Sequence, residues 1–147
     1  VLERATCLRR VYGAIIVKND EIISTGYNGA PRGRVNCSQL GYCNREQLNI
    51  PSGQRYELCR SVHAEANAII SAARRDMIGG TLYLVGRSAA DGELLHDTTS
   101  CAMCRRMIIN SGITRVVNRI GDDGIEIIDV QNWIVNDESI QPKAEAE

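Results

Sequence analysis

The chain has no phenylalanine, one tryptophan, three prolines and two histidines in 147 residues. It also has no excess of either charge, since 17 basic and 18 acidic residues leave a formal net charge of −1. No apolar run approaches the roughly 20 residues that cross a bilayer as a helix. Each of these absences excludes something. A balanced charge gives no broad electrostatic footprint for nucleic acid, and one Trp with five Tyr offers little for bases to stack on. The 44% apolar and 24% charged content, with no internal repeat, excludes collagen, coiled coil and disorder. The length fits a single domain spanning 1–147. Such a chain buries roughly 70% of the surface it exposes when unfolded and needs no covalent staples.

What the chain does have is six cysteines. Three disulfides would suit a small secreted scaffold. This sequence is longer than such scaffolds, richer in regular pattern, and does not open on a secretory leader, although it begins at Val1 and not at Met. Metal-bound or catalytic thiols in a reducing compartment, hence a cytoplasmic protein, are the expectation.

Val11 to Val17 is apolar and β-branched and reads as a buried strand. Lys18-Asn-Asp-Glu21 reads as a turn and Ile22 to Thr25 as the return strand of a hairpin. Residues 34–60 are polar, hold three cysteines and show no periodicity, so they form a long loop that something must pin. His63 to Arg75 has helical composition, with Ser61 as its cap. Thr81 to Val85 is a strand, and 86–98 is a polar loop that contains His96. Cys101 to Asn110 is a helix capped by Ser100 and ended by Gly112. Thr114 to Val117 and Ile125 to Val130 are further strands, residues 119–147 being the less regular C-terminal segment, and Pro142 to Glu147 reads as a disordered tail. The order β-β-α-β-α-β-β implies a mixed sheet in an α/β fold, with parallel strands added to an antiparallel hairpin.

His63-Ala-Glu65 opens the first helix and Cys101-Ala-Met-Cys104 opens the second. Two cysteines at this spacing can grip one metal from a helix start. His63 makes a third ligand and leaves a fourth position open, which is the catalytic zinc pattern and not the closed structural one. Helix N-termini also favour thiolate over thiol. Glu65 lies about 200° around the helix from His63, but in a first turn it can lean across a cleft toward a metal-bound water. A lone C-x-x-C can be redox-active or structural, but a thioredoxin-like reading leaves His-Ala-Glu unexplained.

These motifs match the zinc deaminase signature of H-x-E followed by a C-x-x-C. The sequence resembles the cytidine/deoxycytidylate deaminase superfamily, and within it the dCMP deaminase branch. Thr6-Cys-Leu-Arg-Arg10, Gly26-Tyr-Asn-Gly-Ala-Pro-Arg-Gly33, His63-Ala-Glu-Ala-Asn-Ala-Ile69 and Met107-Ile-Ile-Asn-Ser-Gly-Ile113 carry the resemblance, which extends to about Asn118. It departs in three places. Ser100 stands where proline is usual, Tyr12 stands where a small aliphatic is usual, and the family's opening helix is absent.

The resemblance implies a single deaminase domain with a three-layer α/β/α fold and helices on both faces of the sheet. It implies zinc on His63, Cys101 and Cys104, with Glu65 moving protons as water replaces the amine of dCMP to give dUMP and ammonia. Asn28 would meet the sugar hydroxyl and Arg32 the phosphate, although Asn-Gly is also a plain turn signal and Arg32 also reads as a solvated loop residue. Some bacterial relatives hold a second, structural zinc, for which Cys7, Cys37, Cys43 and Cys59 would serve here. Relatives are usually hexamers, so a homo-oligomer is implied. Some answer to dCTP and dTTP near the position of Arg74, although that arginine reads first as a helix-end cation. The alternatives are the same chemistry on CMP, deoxycytidine, guanine or a tRNA adenosine, and a zinc-stabilised accessory module without catalysis.

Overall fold

The computed structural model describes residues 1–137 and 139–140. The tail expected from Pro142 to Glu147 lies outside the described residues. Among the described residues the strands are β1 (Arg10–Lys18), β2 (Glu21–Tyr27), β3 (Thr81–Ser88), β4 (Arg115–Ile120) and β5 (Gly124–Asp129). They form one mixed sheet in the order β2-β1-β3-β4-β5. β3 and β4 are parallel, and the other neighbours are antiparallel. The hairpin turns on Asn19 and Asp20, both at positive φ, which is the type I′ geometry that matches strand twist.

Among the described residues the helices are α1 (Cys37–Leu40), α2 (Asn44–Gln47), α3 (Ala64–Ile70), α4 (Arg74–Met77), α5 (Ala102–Ser111) and α6 (Val130–Val135). The core lies between α3–α6 and the sheet face that carries Ala14, Ile16, Leu82, Leu84 and Val116, with Ile108, Met77 and Val130 supplied by the helices. The glycine at position 26 lets α3 approach. A Cβ there would run into the Ala64 carbonyl and stand 2.5 Å from the Ala68 nitrogen. The buried Ser24 hydroxyl donates to the Ala68 carbonyl at 2.7 Å and fixes the helix on the strand. On the opposite face, the 3-10 turn Leu2–Arg4 packs against β1 and β2, with Leu2 pressed onto Gly13.

Several expectations are refined. The helix read from His63 to Arg75 is two helices, because Ala73 is extended. That bend brings the Arg74 guanidinium onto the Asn110 carbonyl at the end of α5, at 2.8 Å, and Met77 into the core. The caps of α3 and α5 are His63 and Cys101, and not Ser61 and Ser100. The 34–60 stretch holds α1, α2 and a 3-10 turn, Tyr56–Leu58. β3 runs on to Ser88, and α6 takes up Val130. Gly112 ends α5 in the left-handed conformation, as expected. Among the described residues no helix is long and apolar enough to cross a membrane.

Candidate metal centre and cleft

The N-termini of α3 and α5 meet, which is where their caps carry donors. The β1–β2 hairpin positions the first helix. Gly29 and Val62 exchange backbone hydrogen bonds at 3.2 and 2.7 Å, and the Asn67 amide donates to the Tyr27 carbonyl at 2.8 Å. Arg105 positions the second, with its guanidinium donating to the Ser100 carbonyl at 3.0 Å and the Thr99 hydroxyl at 3.3 Å while stacking on Trp133. Both side chains hold the turns that precede His63 and Cys101.

The sulfurs of Cys101 and Cys104 each lie 3.4 Å from His63 Nδ1. Among the described residues these three form the one group of potential ligands whose donor atoms all fall within 4.8 Å. Donors at about 2.0–2.3 Å from one tetrahedral zinc stand about 3.6 Å apart. The residues present therefore fit zinc without rearrangement, and the donor chemistry of one imidazole and two thiols is zinc's own. The electrostatics agree. Cys104 lowers the Cys101 pKa to about 4 by hydrogen bonding, against the opposing effect of burial and with help from His63. That same hydrogen bond pushes Cys104 upward. The hydrogen bond to Cys101, and then that to Cys59, raises His63 to about 10. Tyr56 stands edge-on to His63, 5.3 Å between ring centres, and the Arg45 guanidinium lies over the Tyr56 ring at 4.3 Å.

Glu65 is 4% exposed and lines the same cleft as His63 and Cys101, so it does lean in from the first turn. Burial pushes its pKa up. The Ser100 side chain is buried.

The cleft measures about 510 Å³. Asn28 lines it, but both ends of its amide are engaged. Oδ1 accepts from the Tyr12 N–H at 2.8 Å, and Nδ2 donates to the Arg10 carbonyl at 3.0 Å. Arg32 is exposed and lies outside the cleft. Arg9, Arg10, Arg45 and Arg55 line it instead. Sequence reasoning did not single out Arg10, Tyr12, Tyr56 and Asp97 as cleft residues. The alternation Arg10-Val11-Tyr12 put two large polar groups on one face of β1 and was the available signal.

Cys7, Cys37, Cys43 and Cys59 occupy one neighbourhood. Burial, and after it the charges of Cys7, Cys59 and Cys43, raise Cys37. The loop is tied to the start of the chain, with the Thr6 hydroxyl donating to Asn36 at 3.2 Å and the Ser38 N–H to the Thr6 carbonyl at 3.2 Å. No three of these four sulfurs come as close together as the His63 set. All six cysteines are free thiols, and His96 is exposed.

The family described as cytidine and deoxycytidylate deaminase zinc-binding region matches residues 1–119. A deoxycytidylate deaminase of Mycobacterium phage D29 is 38% identical over 120 residues, covering 78% of this chain and 82% of its own. A deoxycytidylate deaminase of Schizosaccharomyces pombe is 36% identical over 115 residues, covering 78% of this chain, which spans only 32% of the yeast protein's length. In fold, a cytidine deaminase from Burkholderia pseudomallei superposes with a TM-score of 0.53 at 19% identity, over 89% of this chain and 85% of its own.

Proposed function

The chain belongs to the cytidine and deoxycytidylate deaminase zinc-binding family, and on that premise we propose that it converts dCMP and water to dUMP and ammonia. The observation that carries this is a three-donor metal set at two helix N-termini with a buried carboxylate beside it. His63, Cys101 and Cys104 would hold the zinc. When bound, zinc supplies an activated water as nucleophile near neutral pH.

Glu65 does the proton work. Its carboxylate takes one proton as water oxygen bonds to C4 of cytosine and passes it to ring N3; it then takes the remaining proton from the new C4 hydroxyl and gives it to the amine, which leaves as ammonia as the C4–N bond breaks and the C4=O bond forms. A carboxyl whose pKa burial has raised holds a proton more readily than an exposed one, as a group that both accepts and donates must. Tyr56 packs its ring edge-to-face with the imidazole of His63 and is itself covered by Arg45.

The choice of a deoxynucleotide is supported by the relatives named deoxycytidylate deaminase. Asn28 has one amide hydrogen and one lone pair left over from β1 and can offer them to the sugar. Arg32 meets a phosphate only if the exposed 31–35 segment folds over the cleft. Comparing dCMP with CMP, deoxycytidine, guanine and a tRNA adenosine tests the assignment. The highest kcat/KM is expected for dCMP, and a higher value for any other substrate overturns it.

Residues 1–147 are taken as one deaminase unit, acting in the cytoplasm as a homo-oligomer on free nucleotide, with dCTP and dTTP as effectors. A second, structural zinc on Cys7, Cys37, Cys43 and Cys59 would pin the loop between Asn36 and Arg60, and the shared neighbourhood of the four thiols supports it. Metal analysis is expected to find about two zincs per chain, falling to about one in Cys37→Ser with the catalytic zinc retained. One zinc in folded, fully loaded wild type contradicts the second site.

A further inference from the structure

The arginines of the cleft are not alike. Arg9 meets Glu46 at 2.9 Å, Arg10 meets Asp97 at 3.3 Å and Arg55 meets Glu57 at 2.9 Å. Arg45, from α2, is the buried one of the four, at 6% exposed. Among the described residues no carboxylate stands within 4.0 Å of it. A charge taken out of water is costly unless hydrogen bonds and an opposite charge meet it. Here the hydrogen bonds are present and a carboxylate is not.

Arg45 Nε donates to the Gln54 carbonyl at 3.0 Å and Nη2 donates to the Pro51 carbonyl at 3.1 Å. A guanidinium carries five N–H donors in a rigid fork, so both hydrogens of Nη1 and one of Nη2 are left over. Nη1 makes no hydrogen bond among the described residues, yet unlike Arg60 Nε it is not sealed from solvent. The group is already held in place, by the two carbonyls along one edge and by the Tyr56 ring at 4.3 Å on one face. Tyr56 in turn stands 5.3 Å from the His63 ring. The cation is therefore no further from the imidazole than these two contacts laid end to end, which is within the length of one nucleotide. Ser52, from the same turn as Pro51 and Gln54, lines the cleft beside it.

Resting on the dCMP assignment, we propose that Arg45 binds the 5′-phosphate through its Nη1–Nη2 edge and so makes the site prefer a nucleotide to a nucleoside. The planar fork of arginine matches two oxygens of a phosphate. The phosphate supplies the counter-charge that no carboxylate supplies, so its binding relieves a cost that the free cleft carries. The competing anion is the thiolate set of the second zinc site, since the charge of Arg45 acts on Cys59. A role confined to that set would show in the metal content and not in the discrimination between nucleotide and nucleoside.

The test uses two pairs of compounds that differ only in the phosphate. Wild type, Arg45→Gln and Arg45→Lys, each with zinc content measured, are assayed for kcat/KM on dCMP and deoxycytidine. Binding of dUMP and deoxyuridine is measured by titration calorimetry. Wild type is expected to favour the phosphorylated member of each pair by at least about 10²-fold. Arg45→Gln is expected to lose at least about tenfold of both preferences. Arg45→Lys keeps the charge without the fork and is expected to lose several-fold. A merely structural role lowers dCMP and deoxycytidine together. Unchanged ratios in Arg45→Gln, with or without loss of one zinc, therefore overturn the inference and leave the dCMP assignment standing. Absence of dCMP turnover by wild type overturns that assignment, whereas the dUMP and deoxyuridine comparison still decides the role of Arg45. Wild type that binds dUMP no more tightly than deoxyuridine overturns the inference. If Arg45→Gln does not hold the catalytic zinc, Arg45→Lys decides in its place. If neither variant loads, the guanidinium is a packing element and the inference falls.

Discussion

Replacing Glu65 with glutamine is expected to lower kcat for dCMP by about 10²–10⁴-fold while the zinc content stays at the wild-type level. Glutamine keeps the size of the side chain and its place in the first turn of α3, so the helix start and the His63 cap should survive. What it removes is the ability to take a proton and give it back. The buried position of the carboxyl, 4% exposed, sharpens the expectation, because little solvent is at hand to substitute for it. The pattern of full zinc with lost turnover separates a proton-handling role from a structural one. Glu65→Gln with wild-type kcat would remove Glu65 from the mechanism.

Cys104→Ala is expected to remove the catalytic zinc and all measurable turnover together. Cys104 is 1% exposed in the third position of α5, and its sulfur is 3.4 Å from His63 Nδ1. Alanine suits a helix interior, and a buried cysteine packs as a small apolar group, so the fold should bear the change. The loss of one of three protein donors leaves His63 and Cys101, which cannot hold an open zinc site at catalytic affinity. If the second zinc is present, metal content should fall from about two per chain to about one. Full zinc content with full activity in Cys104→Ala would show that the cluster is not the metal centre.

The parts legible in the sequence were those encoded by neighbours along the chain. The β-branched run in β1, the Asn19-Asp20 turn, the glycine that ends α5 and the His63-Ala-Glu65 and Cys101-x-x-Cys104 spacings each specify local geometry, and the structure shows each of them. The parts not legible depend on distant partners. Nothing near Ala73 says that the helix must bend so that Arg74 can meet the Asn110 carbonyl. The amide of Asn28 reads as free until β1 claims both of its ends. Arg32 reads as a phosphate ligand until its loop is seen to run outside the cleft. Metal chemistry was readable because it needs a few residue types at fixed spacing. Substrate contacts were not, because the cleft is assembled from β1, the 52–63 segment and the 97–103 turn.

The most direct measurement is the product balance of the zinc-loaded wild-type protein incubated with dCMP. Ammonia and dUMP should appear in equal amounts, each matching the dCMP consumed. A folded, fully zinc-loaded protein that yields neither would contradict hydrolytic deamination at this site.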